Sequence, residues 1–260
     1  MSQHWTGYPL PSAGKRAAVL ALVALGAHPI LLHGTVEGIC TCDKGIACGR
    51  SAGKHPIDLK WQKADLDAAQ LIKRLEARPE LNIGWRMGLQ PDGKRLLAID
   101  DDGGLQSLEE QLGKLPLTLT QRTGSGGHHR FFRVPLDAKL PNRVKVRGVD
   151  VDLRCDGGQV AFAPSATPAG RYTLISQRDI AELPAVWLAA LTEAPAPAPL
   201  PIEEPVTETD KLKRARAYVE RIEPAISGSG GHQKTFRVAL KCREFALSPA
   251  ETLTLLREYN

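Results

Sequence analysis

Leu97-Ala98-Ile99-Asp100-Asp101-Asp102-Gly103 is an apolar run that stops in three carboxylates and a glycine. On a strand alternate side chains share a face, so Asp100 and Asp102 point one way and Asp101 the other. Two further stretches extend the pattern. Thr123-Gly124-Ser125-Gly126-Gly127-His128-His129 is a glycine-rich turn that leads into Arg130-Phe131-Phe132-Arg133-Val134, a strand. Val149-Asp150-Val151-Asp152-Leu153-Arg154 alternates apolar and charged residues, which places Asp150 and Asp152 on one face.

Outward from these blocks, helical and strand signals interleave. Ala13–Leu25, Asp67–Ala77, Gly104–Leu112 and Ile180–Leu191 read as helices, and His28–Leu32, Ile83–Met87 and Leu96–Asp100 as strands. The expected class is α+β, with mostly antiparallel sheet and flanking helices. Residues 193–209 interleave proline with small and acidic residues, the composition of a semi-rigid spacer. It separates a domain over 1–192 from a small all-α domain over 210–260. In the latter, Asp210 is placed to cap a helix over Lys211–Ile222, Gln233–Phe245 forms a second, and Ser248-Pro249-x-Glu251 opens a third. Leu256-Arg-Glu-Tyr-Asn260 carries no stop signal, so this domain is expected to be cut short at its C-terminal end.

The chemistry of the blocks follows from their side chains. Carboxylates that share a face repel unless a cation sits between them, and hard oxygen ligands suit Mg²⁺ or Mn²⁺. Asp100, Asp102 and Asp152 would make a three-carboxylate set of the kind that two-metal phosphoryl transfer uses. The plain alternative is a strand running into a polar Asp-Asp-Gly turn. Gly124-Ser125-Gly126-Gly127 can turn backbone N–H groups toward an anion, with Ser125 and His129 adding contacts, or it is simply a tight hairpin turn.

Cys40-x-Cys42-x5-Cys48-x6-His55 lies in a loop without periodicity, about residues 38–56. Three thiolates and one imidazole are a donor set for structural Zn²⁺; reduced bystander thiols and a disulfide are the other readings. The remaining two of five cysteines are Cys155 and Cys242, and the odd total favours a reducing compartment. Over 260 residues the net charge is +5, which favours an anionic partner such as nucleic acid. No apolar run nears the roughly 20 residues that span a membrane, and Met1-Ser-Gln-His-Trp5 has no signal-peptide pattern.

The order Asp-x-Asp, Ser-Gly-Gly-x-His and Val151-Asp-Leu-Arg-x-Asp-Gly-Gly-x-Val-x-x-x-Pro-Ser165 resembles the primase–polymerase (Prim-Pol) domain of the archaeo-eukaryotic primase superfamily, typical of replication proteins of phages, plasmids and integrated elements. Gly53-Lys54-His55-Pro56 with Trp61, and Leu81-Asn-Ile-Gly-Trp-Arg86-Met-Gly88, extend the likeness over residues 12–190. The resemblance implies that Asp100, Asp102 and Asp152 bind catalytic Mg²⁺ or Mn²⁺. It implies that Ser125 and His129 contact the incoming nucleotide, that Lys54 and Arg86 are triphosphate or template contacts, and that Cys40, Cys42, Cys48 and His55 hold zinc. The chain departs from the pattern in its third carboxylate, Asp101, and in Asp150, which competes with Asp152. Asp156, before Gly157-Gly158, reads as a turn residue.

The implied function is template-dependent synthesis or extension of primers on single-stranded DNA from nucleoside triphosphates. The setting is the cytoplasm of a bacterial host or phage-infected cell, and a fused or separate helicase is the expected partner. A catalytically idle nucleic-acid-binding replication module and a metal-dependent nuclease are the other classes. Ser227-Gly-Ser-Gly-Gly-His232 echoes the first glycine block and reads either as a phosphate site at a helix start or as an interhelical turn.

Overall fold

The computed structural model describes residues 14–63, 67–192, 209–222 and 231–259. The chain divides into two compact units, Met1–Ala194 and Pro195–Asn260. The proline-rich spacer expected over 193–209 lies outside the described residues except for Thr209, as do residues 227–230 of the second glycine block.

The first unit runs α1 (Lys15–Ala24), β1 (His28–Leu32), β2 (Thr35–Val36), β3 (Ile39–Cys40), α2 (Ala68–Ala77), β4 (Asn82–Arg86), β5 (Gly88–Leu89), β6 (Arg95–Asp101), α3 (Leu105–Leu112), β7 (Thr120–Arg122) and β8 (His128–Val134). It continues through β9 (Val151–Arg154), β10 (Gln159–Phe162), β11 (Ala166–Thr167), β12 (Gly170–Arg171), β13 (Thr173–Ser176), β14 (Ala181–Glu182) and α4 (Ala185–Thr192). One sheet has the order β1-β4-β10. The larger has the order β13-β7-β8-β6-β5, with β9 paired to β6 and β14 to β8. All these pairings are antiparallel except β14 with β8, so the expected mixed, largely antiparallel class is the one observed.

Local chemistry explains the elements. Asp67 caps α2, its Oδ1 accepting the Gln70 N–H at 2.7 Å while Gln70 Oε1 accepts the Asp67 N–H at 3.3 Å, a reciprocal pair that satisfies two orphan donors. Leu71, Ile72 and Leu75 then face inward. The alternation along β6 divides the interior in two. Leu96 and Ala98 join Phe131, Ile83, Trp85, Phe162 and the inner faces of α1 and α2. Leu97 and Ile99 join Phe132, Val134, Leu105, Leu108, Val151, Leu153 and Trp187. Trp85 stacks on Phe131 with centroids 4.7 Å apart, and truncating such a buried ring costs about 3–5 kcal/mol.

The helix expected over Ile180–Leu191 begins later. Ala181 and Glu182 pair with Phe132 and Arg133, and the Leu183 N–H donates to Arg133 O at 2.9 Å. Pro184 has no N–H to continue the ladder, and α4 starts at Ala185.

The second unit holds α5 (Asp210–Val219), α6 (Gly231–Glu244) and α7 (Pro249–Tyr259). Leu212, Ala215, Val219, Val238, Cys242 and Leu255 form its core. Thr209 rather than Asp210 caps α5, its side chain accepting the Leu212 N–H at 3.2 Å. Ser248 and Glu251 cap α7 reciprocally, with bonds of 3.2 and 2.8 Å.

Candidate active site

Where the apolar face of β6 ends, a polar row crosses four strands. Gln121 of β7 pairs with His129 of β8, His129 with Asp100 of β6, and Asp100 with Asp152 of β9. Strand alternation puts all four on the face that carries Ala98 and Phe131. Asp102, two residues beyond Asp100, follows it into the same cleft of about 750 Å³, lined also by Asp152, His129, Ser125, Lys54, Arg50, Arg154 and Tyr172.

The carboxylates are not equivalent. Burial alone would raise the Asp100 carboxyl, but the His129 hydrogen bond and the Arg154 and Lys54 charges outweigh it and hold it below the usual range. His129 Nε2 lies 3.2 Å from Asp100 Oδ1. Asp152 accepts the Lys145 N–H at 2.9 Å and Arg154 Nη2 at 2.8 Å. Asp102 has no hydrogen-bond partner for its carboxylate among the described residues, and burial together with Asp100 and Asp152 pushes its carboxyl upward. A carboxylate without a hydrogen-bond partner, raised by two neighbouring carboxylates, is where a cation would relieve repulsion.

The competing residues are used elsewhere. Asp101 faces away: its Oδ1 accepts the N–H groups of Gly103 and Leu105 at 3.0 and 3.1 Å, and its Oδ2 accepts Arg130 Nη1 at 2.8 Å. It starts α3 and pairs with Arg130. Asp150 is exposed beside Lys145 at 3.3 Å, and Asp156 pairs with Arg95 at a turn. His128, on the Asp101 face, pairs in register with Arg122 and Asp101.

The glycine block is a hairpin turn closed by Thr123 N–H to Gly127 O at 2.8 Å and Gly126 N–H to Thr123 O at 3.1 Å. The Gly126 N–H is therefore spent within the turn. A Cβ on Gly127 would sit 2.6 Å from Asp101 O and from Asp102 Oδ1, so the glycine lets the turn lie against the carboxylates. Ser125 Oγ is 3.1 Å from Thr123 Oγ1.

Against this geometry, a family model described as "Bifunctional DNA primase/polymerase, N-terminal" (Prim-Pol) matches residues 1–186. The chain belongs to this family. None of the curated proteins matches it.

In this Prim-Pol domain the cysteine loop forms one wall of the cleft, since Arg50, Ser51, Lys54 and His55 line it with the carboxylates. The ligand atoms of Cys40, Cys42, Cys48 and His55 lie within 4.8 Å of one another, and His55 Nε2 is 3.3 Å from both Cys40 Sγ and Cys48 Sγ. Tetrahedral zinc, with bonds of about 2.0–2.3 Å, spaces its ligands roughly 3.5–4 Å apart, so the donor set and its spacing fit that ion. Burial and the neighbouring Cys40 and Cys42 push the Cys48 thiol up to about 11. For Cys42 the opposing hydrogen bonds, from the Lys44 and Gly45 backbone and from Cys40 and Cys48, outweigh desolvation and lower the thiol.

Arg86, expected as a triphosphate or template contact, lies in the smaller sheet. It belongs to β4, its Nη1 donates to Gln62 O at 2.7 Å, and it is not among the residues lining the cleft. Sequence reasoning passed over Arg50, Arg154, Tyr172 and Gln121. Arg154 was available to it, because it follows Asp152 by two and shares its face. A lone buried glutamine carries no such signal.

Proposed function

We propose that this Prim-Pol domain is a template-dependent DNA primase/polymerase that makes or extends primers on single-stranded DNA by nucleotidyl transfer. The observation that carries this reading is the row His129–Asp100–Asp152 with Asp102 beside it, facing a cleft that Lys54, Arg50 and Arg154 also line. Asp100, Asp102 and Asp152 would hold Mg²⁺ or Mn²⁺, which when bound supplies charge neutralisation at the phosphates and favours the ionised 3′-hydroxyl.

The chain's own groups do the rest. Lys54, Arg50 and Arg154 set positive charge around the cleft that holds the carboxylates, where a triphosphate would otherwise be repelled. His129 presents one N–H donor and Ser125 one hydroxyl to that site. The primer or initiating 3′-oxygen attacks the α-phosphorus, the bond to the bridging oxygen breaks, and pyrophosphate leaves. Positioning and electrostatics dominate such a reaction, and adjacent strands of one sheet hold Asp100 and Asp152 rigidly in register.

Cys40, Cys42, Cys48 and His55 would hold a structural Zn²⁺ that pins the loop carrying Arg50 and Lys54. The helical unit over 210–260 is read as a separate domain behind the proline-rich spacer. The test is incubation with single-stranded DNA, Mg²⁺ or Mn²⁺ and labelled nucleotides, with and without primer, beside the Asp100→Ala/Asp102→Ala double variant. Products from the wild type alone, with DNA binding kept in the variant, support the reading. Equal DNA binding without products in either would favour an idle binding module, and degradation without nucleotides a nuclease.

A further inference from the structure

Gln121 heads the polar row, and it is fully buried. Both ends of its amide are fixed by the strand end at β10. Oε1 accepts the Ala163 N–H at 3.0 Å, and Nε2 donates to Ala161 O at 2.7 Å. Those two bonds settle which end of the amide is nitrogen. One N–H is left, and it faces His129 Nδ1 at 2.8 Å.

An amide nitrogen donates and has no lone pair to offer, so His129 Nδ1 must accept. The ring's proton then sits on Nε2, the atom 3.2 Å from Asp100 Oδ1. His129 is itself buried, which keeps water from competing for Nδ1. The other tautomer would set N–H against N–H at Gln121 and a lone pair against a carboxylate at Asp100, two repulsive contacts in a low-dielectric site.

Resting on the nucleotidyl-transfer reading above, we infer that Gln121 is a positioning residue that locks His129 in its Nε2–H tautomer. The cleft is thereby always offered a donor: Asp100 takes it in the free protein, and a phosphate oxygen of the incoming nucleotide takes it in the complex. The main-chain groups of Ala161 and Ala163, at the end of a strand in the smaller sheet, thus set which hydrogen a side chain of the larger sheet presents. Gln121 never touches the substrate.

The experiment is nitrogen NMR of the full chain with ¹⁵N-labelled histidine, His129 being assigned by its loss in His129→Ala. The wild type is expected to show a pyrrole-type Nε2 and a pyridine-type Nδ1 at His129. Gln121→Met, similar in volume but unable to donate, should release the lock and show the two tautomers exchanging. Gln121→Glu, whose carboxylate accepts, should move the proton to Nδ1. In single-nucleotide extension, Gln121→Met should raise the nucleotide KM by about tenfold, with kcat within about twofold, because a ground-state contact is lost.

A wild-type ring protonated on Nδ1, or an unchanged His129 spectrum in both variants, would overturn the proposal. If one variant fails to fold, the other still decides it. Absence of nucleotide incorporation by the wild type would instead sink the nucleotidyl-transfer reading, while the spectra still judge the Gln121 lock.

Discussion

Arg130 reaches Asp101 at 2.8 Å on the face of β6 opposite to the one that carries Asp100 and Asp102. Three adjacent carboxylates are thereby divided between two jobs. Asp101 accepts the first N–H of α3, that of Leu105, and pairs with Arg130, so replacing it leaves that N–H without its partner and strands a half-buried guanidinium. Asp101→Ala should lose about 2–3 kcal/mol of stability in denaturant unfolding. Asp102→Asn should lose none, and a destabilised Asp102→Asn would show that this carboxylate has a structural partner.

The same contrast sets opposite pH dependences. The Arg130 bond and the Gly103 and Leu105 N–H groups outweigh burial and hold the Asp101 carboxyl below its ordinary 3.8. Its contribution is present above that value and lost as pH falls through the lowered one. Burial, then Asp100 and Asp152, raise the Asp102 carboxyl above 3.8, so its contribution is full below 3.8 and lost as pH rises through the raised value. Metal-free Asp102→Asn should therefore melt above wild type near pH 7, the gain fading toward pH 3. Thermal melts across that range check the sign. Added Mn²⁺ should raise the wild-type melting temperature and move that of Asp102→Asn less.

Thiol reactivity reports on the cysteine loop. Burial and Asp156 push the Cys155 thiol up to about 11, and burial raises Cys242 as well, so both should resist alkylation of the native protein near pH 8. Cys42, with its lowered thiol, should react first in protein stripped of metal, and added Zn²⁺ should block it. Peptide mapping by mass spectrometry decides this. Rapid labelling of Cys42 in zinc-loaded protein would contradict the ligand set.

Gly127 is the closest approach of the turn to the acidic row. Gly127→Ala would set a methyl group 2.6 Å from Asp101 O and Asp102 Oδ1, and the backbone oxygen cannot yield as a side chain can. Displacement of Asp102 by about 1 Å should lower nucleotide incorporation by on the order of a hundredfold. At Gly126, φ is +100° but a Cβ would meet nothing within 4 Å. Incorporation kinetics of Gly127→Ala beside Gly126→Ala, with folding checked by circular dichroism, separate the two: Gly126→Ala should strain the turn and keep most activity.

Period-2 alternation made much of this legible in the sequence. It placed Asp100 with Asp102 against Asp101, and the same rule divides Leu96 and Ala98 from Leu97 in the structure, because a strand's side chains alternate over its whole length. The helix beginning at Asp67 was legible for a similar local reason. What escaped depends on partners distant in sequence. Gln121 matters only because β7 pairs with β8 and its amide meets Ala161 and Ala163, forty residues on. Ile180–Leu183 is apolar enough for a helix, and its pairing with β8 took Ala181 and Glu182 into the sheet. The Arg86 motif suggested a triphosphate or template contact and gave no sign of Gln62 O, which accepts from its guanidinium.

In the proposed function the cross-strand row, and not merely acidic charge, performs nucleotidyl transfer. It is tested most directly by single-turnover incorporation of one labelled nucleotide on a primed single-stranded template, comparing Asp152→Asn with Asp150→Asn. The two carboxylates are two residues apart, and only Asp152 pairs with Asp100 and lines the cleft. Asp152→Asn should lose at least about a hundredfold, and Asp150→Asn should keep near wild-type rates. Equal losses in both, or a fully active Asp152→Asn, would contradict it.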